Sequence, residues 1–188
     1  MLRNTDTEWG SIARSLHWLV ALLIAVQLGL GWVAEDMDLS PTKLDLFVWH
    51  KSLGLTVLLL VVLRLGWRLS SPPPVPLTGS GRWETRLAQA GHWLLYVLMF
   101  AVPLSGWWIA DTSRIPFRLY WLSPVPDFLA PDKAASTLAA EVHGVLTTLL
   151  AVVVTGHVLA ALRHHWLLGN ATLRRMLPFT TAEERRDA

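Results

Sequence analysis

The stretch HGVLTTLLAVVVTGH runs from His143 to His157 and places a histidine at each end of thirteen uncharged residues. In an α-helix, fourteen residues rotate by about 1,400°, roughly 40° short of four full turns, and rise about 21 Å. The two imidazoles therefore share one helical face at two depths. Ionisable side chains inside an apolar helix are costly and usually functional, so this spacing predicts two sites along one membrane helix.

The rest of the chain supplies three more helices of the same character. Of the 188 residues, 53% are hydrophobic and 16% are charged, whereas soluble domains carry about 25% charged residues. A transmembrane helix needs about 20 mostly apolar residues, and four stretches qualify: residues 14–34, 46–69, 87–110 and 138–166. We predict an all-α integral membrane protein, in which residues 1–188 form a single membrane domain. Its four transmembrane helices form one bundle in the lipid bilayer, and residues 167–188 form a short cytoplasmic tail.

Lysine and arginine are unevenly shared between the two ends of these helices. Eleven of the sixteen fall at the end that carries both termini, and five fall at the other end. Cytoplasmic loops carry an excess of these residues, so we expect both termini to be cytoplasmic. The isoelectric point near 9.4 reflects this basic collar, to which we assign Arg174 and Arg175. We expect no nucleic-acid partner.

The histidines within the helices fall at two depths. His50 and His143 form an outer pair, and His17, His92 and His157 form an inner trio. Gly31 and Gly106 follow His17 and His92 by fourteen residues, so we expect both glycines on the histidine faces, where they leave room for a flat ligand. Facing histidines with glycines around them predict a planar macrocycle held by two axial imidazoles. Such a group is a b-type haem, and two depths predict two haems. Spacing does not choose between His17 and His92 as the partner of His157.

Two other interpretations of the histidines remain open. A zinc site needs three or four ligands, commonly with a carboxylate, and the outer pair offers only Glu141 as a third. A proton-relay transporter usually carries buried acids, whereas Glu141 and Asp111 are both predicted at helix ends. The absence of cysteine excludes a thiolate-bound cluster.

Four segments between about Ser11 and Pro178 together carry a family resemblance. They are SIARSLHWLVALLI (11–24), WHKSLGLTVLLLVVLRLGWRL (49–69), LAQAGHWLLYVLMFAVPLSGW (87–107), and EVHGVLTTLLAVVVTGHVLAALRHHW (141–166) with the closing TLRRMLP (172–178). Their histidine positions and the TLRRMLP element resemble those of the bacterial di-haem cytochrome b561 family. The resemblance implies a four-helix bundle in the bacterial inner membrane, with two b haems and quinone as one redox partner. One branch of the family passes electrons from superoxide to ubiquinone.

The resemblance also implies roles for individual residues. By position, His50 and His143 hold the iron of the outer haem, and His17 and His157 hold that of the inner haem. His92 is then a supporting residue, a propionate contact or part of a quinone pocket. Arg64 shares the face of His50 at the inner depth, where it either pairs with a haem propionate or snorkels to the interface.

We predict an oxidoreductase that moves electrons from a periplasmic donor, superoxide above all, to ubiquinone. Lys51 follows His50 directly and is the expected catalytic cation, since it would attract the superoxide anion to the outer haem. Residues 114 and 118, both arginines, would widen this positive mouth. The predicted quinone site combines His164, Arg163 and Trp166 with the nearby NATLRRML segment.

The alternative is a membrane-anchor cytochrome b. Such a subunit exchanges electrons between quinone and a periplasmic redox protein, and it has no superoxide chemistry of its own. The long connection over residues 111–133 mixes aromatic residues with prolines. We expect it to lie along the membrane surface, where it offers a docking surface for such a partner.

Overall fold

A computed structural model describes residues 1–75, 81–113, 115 and 117–177. Four long helices dominate them: α1 (Ser11–Asp36), α2 (Pro41–Ser70), α3 (Arg82–Thr112) and α4 (Lys133–Leu162). A π-helical turn (Arg163–Leu167) continues α4, and a 3-10 turn (Arg174–Met176) follows. Between α3 and α4, the short strands β1 (Arg118–Leu119) and β2 (Ser123–Pro124) pair antiparallel, with Leu119 opposite Ser123.

All four helices are long and apolar enough to cross a membrane, and their most apolar windows have a mean hydropathy of 1.6 to 2.2. Only 6% to 28% of the residues in these windows are buried within the protein. The helices therefore turn most of their apolar side chains outward, which suits lipid and is not tolerated over such an area in water. The predicted all-α membrane fold of four helices is confirmed.

Each helix begins three to five residues before its predicted start, because hydropathy does not detect polar first turns. In α2, Pro41 occupies the first helical position, where a missing N–H has no consequence, and Ser40 Oγ accepts the N–H of Lys43 at 3.2 Å. In α4, Asp132 caps the helix by accepting the N–H groups of Ala134 and Ala135.

The described residues group into two compact units, and every long helix contributes to both. The first unit lies within Met1–Leu19, Val62–Tyr96 and Val152–Ala188, and the second comprises Val20–Val61 and Val97–Ala151. The inner trio belongs to the first unit, and the outer pair belongs to the second.

In the first unit, Arg175 joins segments that are far apart in the sequence. Its side chain is only 8% exposed and donates to the backbone carbonyls of Thr7 and Val75. Close by in the chain, the carbonyl of Leu177 accepts a hydrogen bond from Arg14 at 3.0 Å. The expectation that Arg175 belongs to a headgroup-facing collar is therefore wrong, because its guanidinium is buried among backbone carbonyls.

In the second unit, the connection between α3 and α4 packs against α2. The N–H of Tyr120 donates to Ser52 Oγ at 2.8 Å, and the Tyr120 hydroxyl lies 2.6 Å from Thr56 Oγ1. Tyr120 and Trp121 have φ angles of 48° and 61°, in a backbone region that residues other than glycine rarely adopt. These contacts attach the connection to the protein at the turn between β1 and β2.

Candidate functional site

The outer pair consists of two imidazoles that face each other from neighbouring helices. The ring centroids of His50 in α2 and His143 in α4 lie 6.3 Å apart, with the ring planes at 85°. Two imidazoles bound to opposite sides of one metal ion, each through a bond of about 2 Å, place their centroids about 6 to 6.5 Å apart. The observed separation therefore fits a metal ion held between these two rings.

A glycine lies against each ring of the outer pair. A Cβ atom on Gly31 would lie 3.1 Å from His50 Cε1, and a Cβ atom on Gly106 would lie 3.2 Å from His143 Cε1. Both distances are shorter than ordinary van der Waals contact, so a larger residue would displace the ring. Each glycine of α1 and α3 thus allows the histidine of a neighbouring helix to approach its backbone.

A cavity of about 610 Å³ adjoins the outer pair, which is within the range of roughly 300–1,000 Å³ typical of cofactor pockets. Its lining includes His50, His143, Gly31, Gly106, Gln27 and Lys51. Nδ1 of His50 and Oε1 of Gln27 are buried and have no hydrogen-bond partner within the described part of the chain. The imidazole separation, the close glycines and the cavity together fit a b-type haem. Sequence reasoning missed Gln27, since only the folded neighbours reveal it.

The orientation of His143 is set by α3. Nδ1 of His143 lies 2.9 Å from Ser105 Oγ and 3.1 Å from the carbonyl oxygen of Val102. Because a carbonyl only accepts, Nδ1 carries the proton and Nε2 keeps its lone pair, which is the form that binds a metal. Sequence reasoning missed Ser105 as well, and its only signal is its position next to Gly106.

The inner trio brings two candidate partners close to His157. The ring of His157 lies 6.3 Å from that of His17 and 5.3 Å from that of His92. The first distance equals that of the outer pair. The second is shorter than two imidazoles on opposite sides of one metal ion require, about 6 Å or more. The two candidates, which share a depth, thus lie at different distances from His157.

Comparison with known proteins identifies the family. A family model described as prokaryotic cytochrome b561 matches residues 8–179. The chain belongs to the prokaryotic cytochrome b561 family. It is 33% identical over 175 residues to "Cytochrome b561 homolog 2" of Escherichia coli (strain K12), covering 93% of each chain. It is 31% identical over 177 residues to "Probable superoxide oxidase CybB" of Yersinia pestis, covering 91% of this chain and 96% of that one.

As a prokaryotic cytochrome b561, the protein is a membrane electron carrier of an oxidoreductase family that uses b-type haem. Quinone and other redox molecules are the partners of such membrane cytochromes. The predicted family is confirmed.

The zinc and proton-relay interpretations depend on two acidic residues, Glu141 and Asp111. Glu141 is exposed. Asp111 is buried, and its carboxylate accepts the N–H of Phe128 at 2.7 Å. No cluster of three or more His, Cys, Asp or Glu side chains suited to a metal ion occurs among the residues that the structure describes.

Arg64 contacts the inner trio directly. Its Nη2 lies 3.2 Å from Nδ1 of His17, and its Nη1 donates to the carbonyl of Ala13 at 3.1 Å. The side chain is half-buried and points toward a histidine, which does not fit the snorkelling interpretation. A guanidinium only donates, so Nδ1 of His17 accepts in this contact. To bind a metal through Nε2, His17 would carry its proton on Nδ1, and the Arg64 guanidinium would have to turn away from that nitrogen.

The predicted quinone residues lie in the π-helical turn of the cytochrome. Nδ1 of His164 accepts a hydrogen bond from the side chain of Asn170 at 2.9 Å, so the first residue of the NATLRRML segment lies beside this histidine. Arg163 instead forms an exposed ion pair with Glu84 at 3.4 Å. Trp166 is 73% exposed. The structure thus groups His164 with Asn170 and not with Arg163.

Lys51 lines the cavity beside the outer pair. Its Nζ lies 5.6 Å from the centre of the Phe117 ring, a distance at which a cation and an aromatic face attract each other. Arg118 is exposed and donates to the carbonyl of Leu122 at 3.2 Å. The other predicted arginine, at position 114, lies outside the described residues.

Proposed function

We propose that this cytochrome b561 holds two b haems and transfers electrons from superoxide on the periplasmic side to ubiquinone near the cytoplasmic side of the bacterial inner membrane. The observation that carries the proposal is the repeated separation of 6.3 Å between facing imidazoles, once in each unit. The proposed orientation, with both termini in the cytoplasm, rests on the uneven distribution of Lys and Arg.

In this proposal His50 and His143 hold the outer haem, and His17 and His157 hold the inner haem. When bound, each haem accepts and releases single electrons, and the protein supplies ligands, burial and orientation. His92 would support the His157 ring, because the two rings are in edge contact at a centroid separation of 5.3 Å. Arg64 lies beside His17 and is suited to bind a haem propionate.

Superoxide is the proposed donor because of Lys51 and because of the relative named as a probable superoxide oxidase. Lys51 is a cation in the wall of the cavity that His50 also lines. A cation in a low-dielectric cleft raises the local concentration of small anions. Two superoxide ions are oxidised to dioxygen for each ubiquinone that takes up two electrons and two protons.

The proposed quinone site contains His164, Arg163 and Trp166. His164 supplies an imidazole that Asn170 orients, and the exposed indole of Trp166 offers an apolar surface. Quinone carbonyls need hydrogen-bond donors beside an apolar surface, and this end of α4 provides both.

The membrane-anchor function is the second candidate, and one observation favours it. The connection between α3 and α4 is attached to α2. Trp121 of the connection packs on Trp49 of α2, and the two residues are 41% and 45% exposed. Aromatic residues are enriched in protein interfaces, so this surface suits a docked periplasmic redox protein.

Stopped-flow spectroscopy of the purified chain distinguishes the two candidates. For superoxide oxidation, we expect superoxide to reduce the haems and ubiquinone to reoxidise them, with two haems per chain and no added partner. In His164→Ala, we expect slower reoxidation and unchanged haem spectra. A chain that is inert to superoxide and co-purifies with a redox protein would instead establish the anchor function.

A further inference from the structure

Ser105 combines burial with two polar contacts near the outer pair. Its side chain lies in α3 and the residue is 7% exposed. The hydroxyl oxygen is 2.8 Å from the carbonyl oxygen of Val102 and 2.9 Å from Nδ1 of His143. The hydroxyl therefore lies between a backbone acceptor and an imidazole nitrogen.

The direction of each hydrogen bond follows from the chemistry of the three groups. The Val102 carbonyl only accepts, so the Ser105 hydroxyl donates its hydrogen to that oxygen. The lone pairs on Oγ then remain to accept the Nδ1–H of His143. Since Nδ1 also faces the Val102 carbonyl at 3.1 Å, both of its neighbours are acceptors.

His50 and His17 lack this arrangement. Nδ1 of His50 is buried beside the backbone of Gln27 and has no hydroxyl as a hydrogen-bond partner among the residues described. Nδ1 of His17 faces the guanidinium of Arg64, which only donates. Ser105 therefore sets His143 apart as an imidazole whose Nδ1 proton is shared with two acceptors.

We infer that Ser105 is a positioning residue for the outer haem, which holds His143 with Nε2 directed to iron and lowers the reduction potential of that haem. An acceptor on Nδ1–H increases the electron density of the imidazole and makes it a stronger ligand to ferric iron. A lower potential where electrons enter favours their onward transfer. The inference rests on the proposed ligation by His143.

The experiment compares three variants of the full-length, haem-loaded protein in spectroscopic redox titrations. Ser105→Ala removes the nearer of the two acceptors on Nδ1 of His143 with little change in shape, and Ser105→Thr keeps a hydroxyl. Ser113→Ala is the matched control, because Ser113 Oγ also donates to the carbonyl three residues earlier, that of Ala110, at 2.9 Å. We expect Ser105→Ala to raise the midpoint potential of one haem only, Ser105→Thr to restore it, and Ser113→Ala to leave both unchanged.

Haem transfer to excess apomyoglobin provides a second measurement that does not depend on turnover. We expect one haem to leave Ser105→Ala severalfold faster than it leaves the wild type or Ser113→Ala, because the His143 ring is then held by the Val102 carbonyl alone. If Ser105→Ala cannot be isolated with both haems, full retention by Ser105→Thr supports the role of the hydroxyl, and loss from both variants overturns it. Equal midpoint potentials in the wild type and a fully loaded Ser105→Ala also overturn it. Retention of both haems by His143→Ala would instead reject the proposed ligation.

Discussion

The surroundings of Lys51 differ from those of a lysine that anchors a helix at the membrane interface. It is half-buried, lies over the Phe117 ring and lines the same cavity as His50. A snorkelling lysine extends its ammonium to the headgroups, whereas this one is held at a cavity wall by a cation–π contact. Its position is therefore suited to attract a small anion to the cavity.

Replacement of Lys51 by glutamate tests this role. In Lys51→Glu, we expect slower haem reduction by superoxide, by a factor on the order of 10 at low salt, because the attraction becomes a repulsion. Added salt should shrink the difference through screening, and reduction by neutral quinol should change little. Lys133→Glu alters the net charge equally at an exposed position and serves as the control. Equal superoxide rates in Lys51→Glu and the wild type at low salt would favour the membrane-anchor function.

At the scale of a helix, α4 carries one histidine of each proposed pair. His143 and His157 are fourteen residues apart, and their ring partners come from different units. We expect His143→Ala to lose the outer haem and keep most of the inner haem, and His157→Ala to do the reverse. Haem per chain, measured as the pyridine haemochrome, should fall from two to about one in each variant, since one axial ligand is lost from one site.

The control for this pair of variants is another histidine at the end of the same helix. His165 lies in the π-helical turn, where its ring is 6.2 Å from that of Trp166. We expect His165→Ala to keep both haems. Haem content that stays at two per chain in both His143→Ala and His157→Ala would contradict the proposed ligation.

At the scale of the whole molecule, Arg175 contributes to stability by joining residues near the amino terminus, after α2 and near the carboxyl terminus. Hydrogen bonds to charged groups contribute about 1.5–3 kcal/mol each, and the buried Arg175 side chain donates two of them to backbone carbonyls. We therefore expect Arg175→Met to lower the free energy of unfolding by about 3 kcal/mol and to lower the melting temperature. Arg86→Met removes an exposed arginine and should melt like the wild type. Equal melting temperatures for both variants, measured by loss of the haem absorbance, would argue against this role.

The membrane fold and the histidine interval are both predictable from the sequence, because each depends on local properties of the chain. Hydropathy over about 20 residues identifies a membrane helix, and helix geometry alone places His143 and His157 on one face. The same reasoning places Gly31 and Gly106 on the faces of their histidines. It does not show that each glycine packs against a histidine of another helix.

Only the tertiary structure gives the distances that separate His17 from His92 and the contacts of Ser105 and Arg175. The two histidines share a depth, and what separates them is a difference between 6.3 and 5.3 Å in their distance to His157. Ser105 resembles any small residue of a membrane helix until His143 of α4 lies beside it, and Arg175 resembles a surface charge until two distant carbonyls surround it. Contacts between helices depend on how the helices rotate and pack against one another, and the periodicity of a single helix does not contain that information.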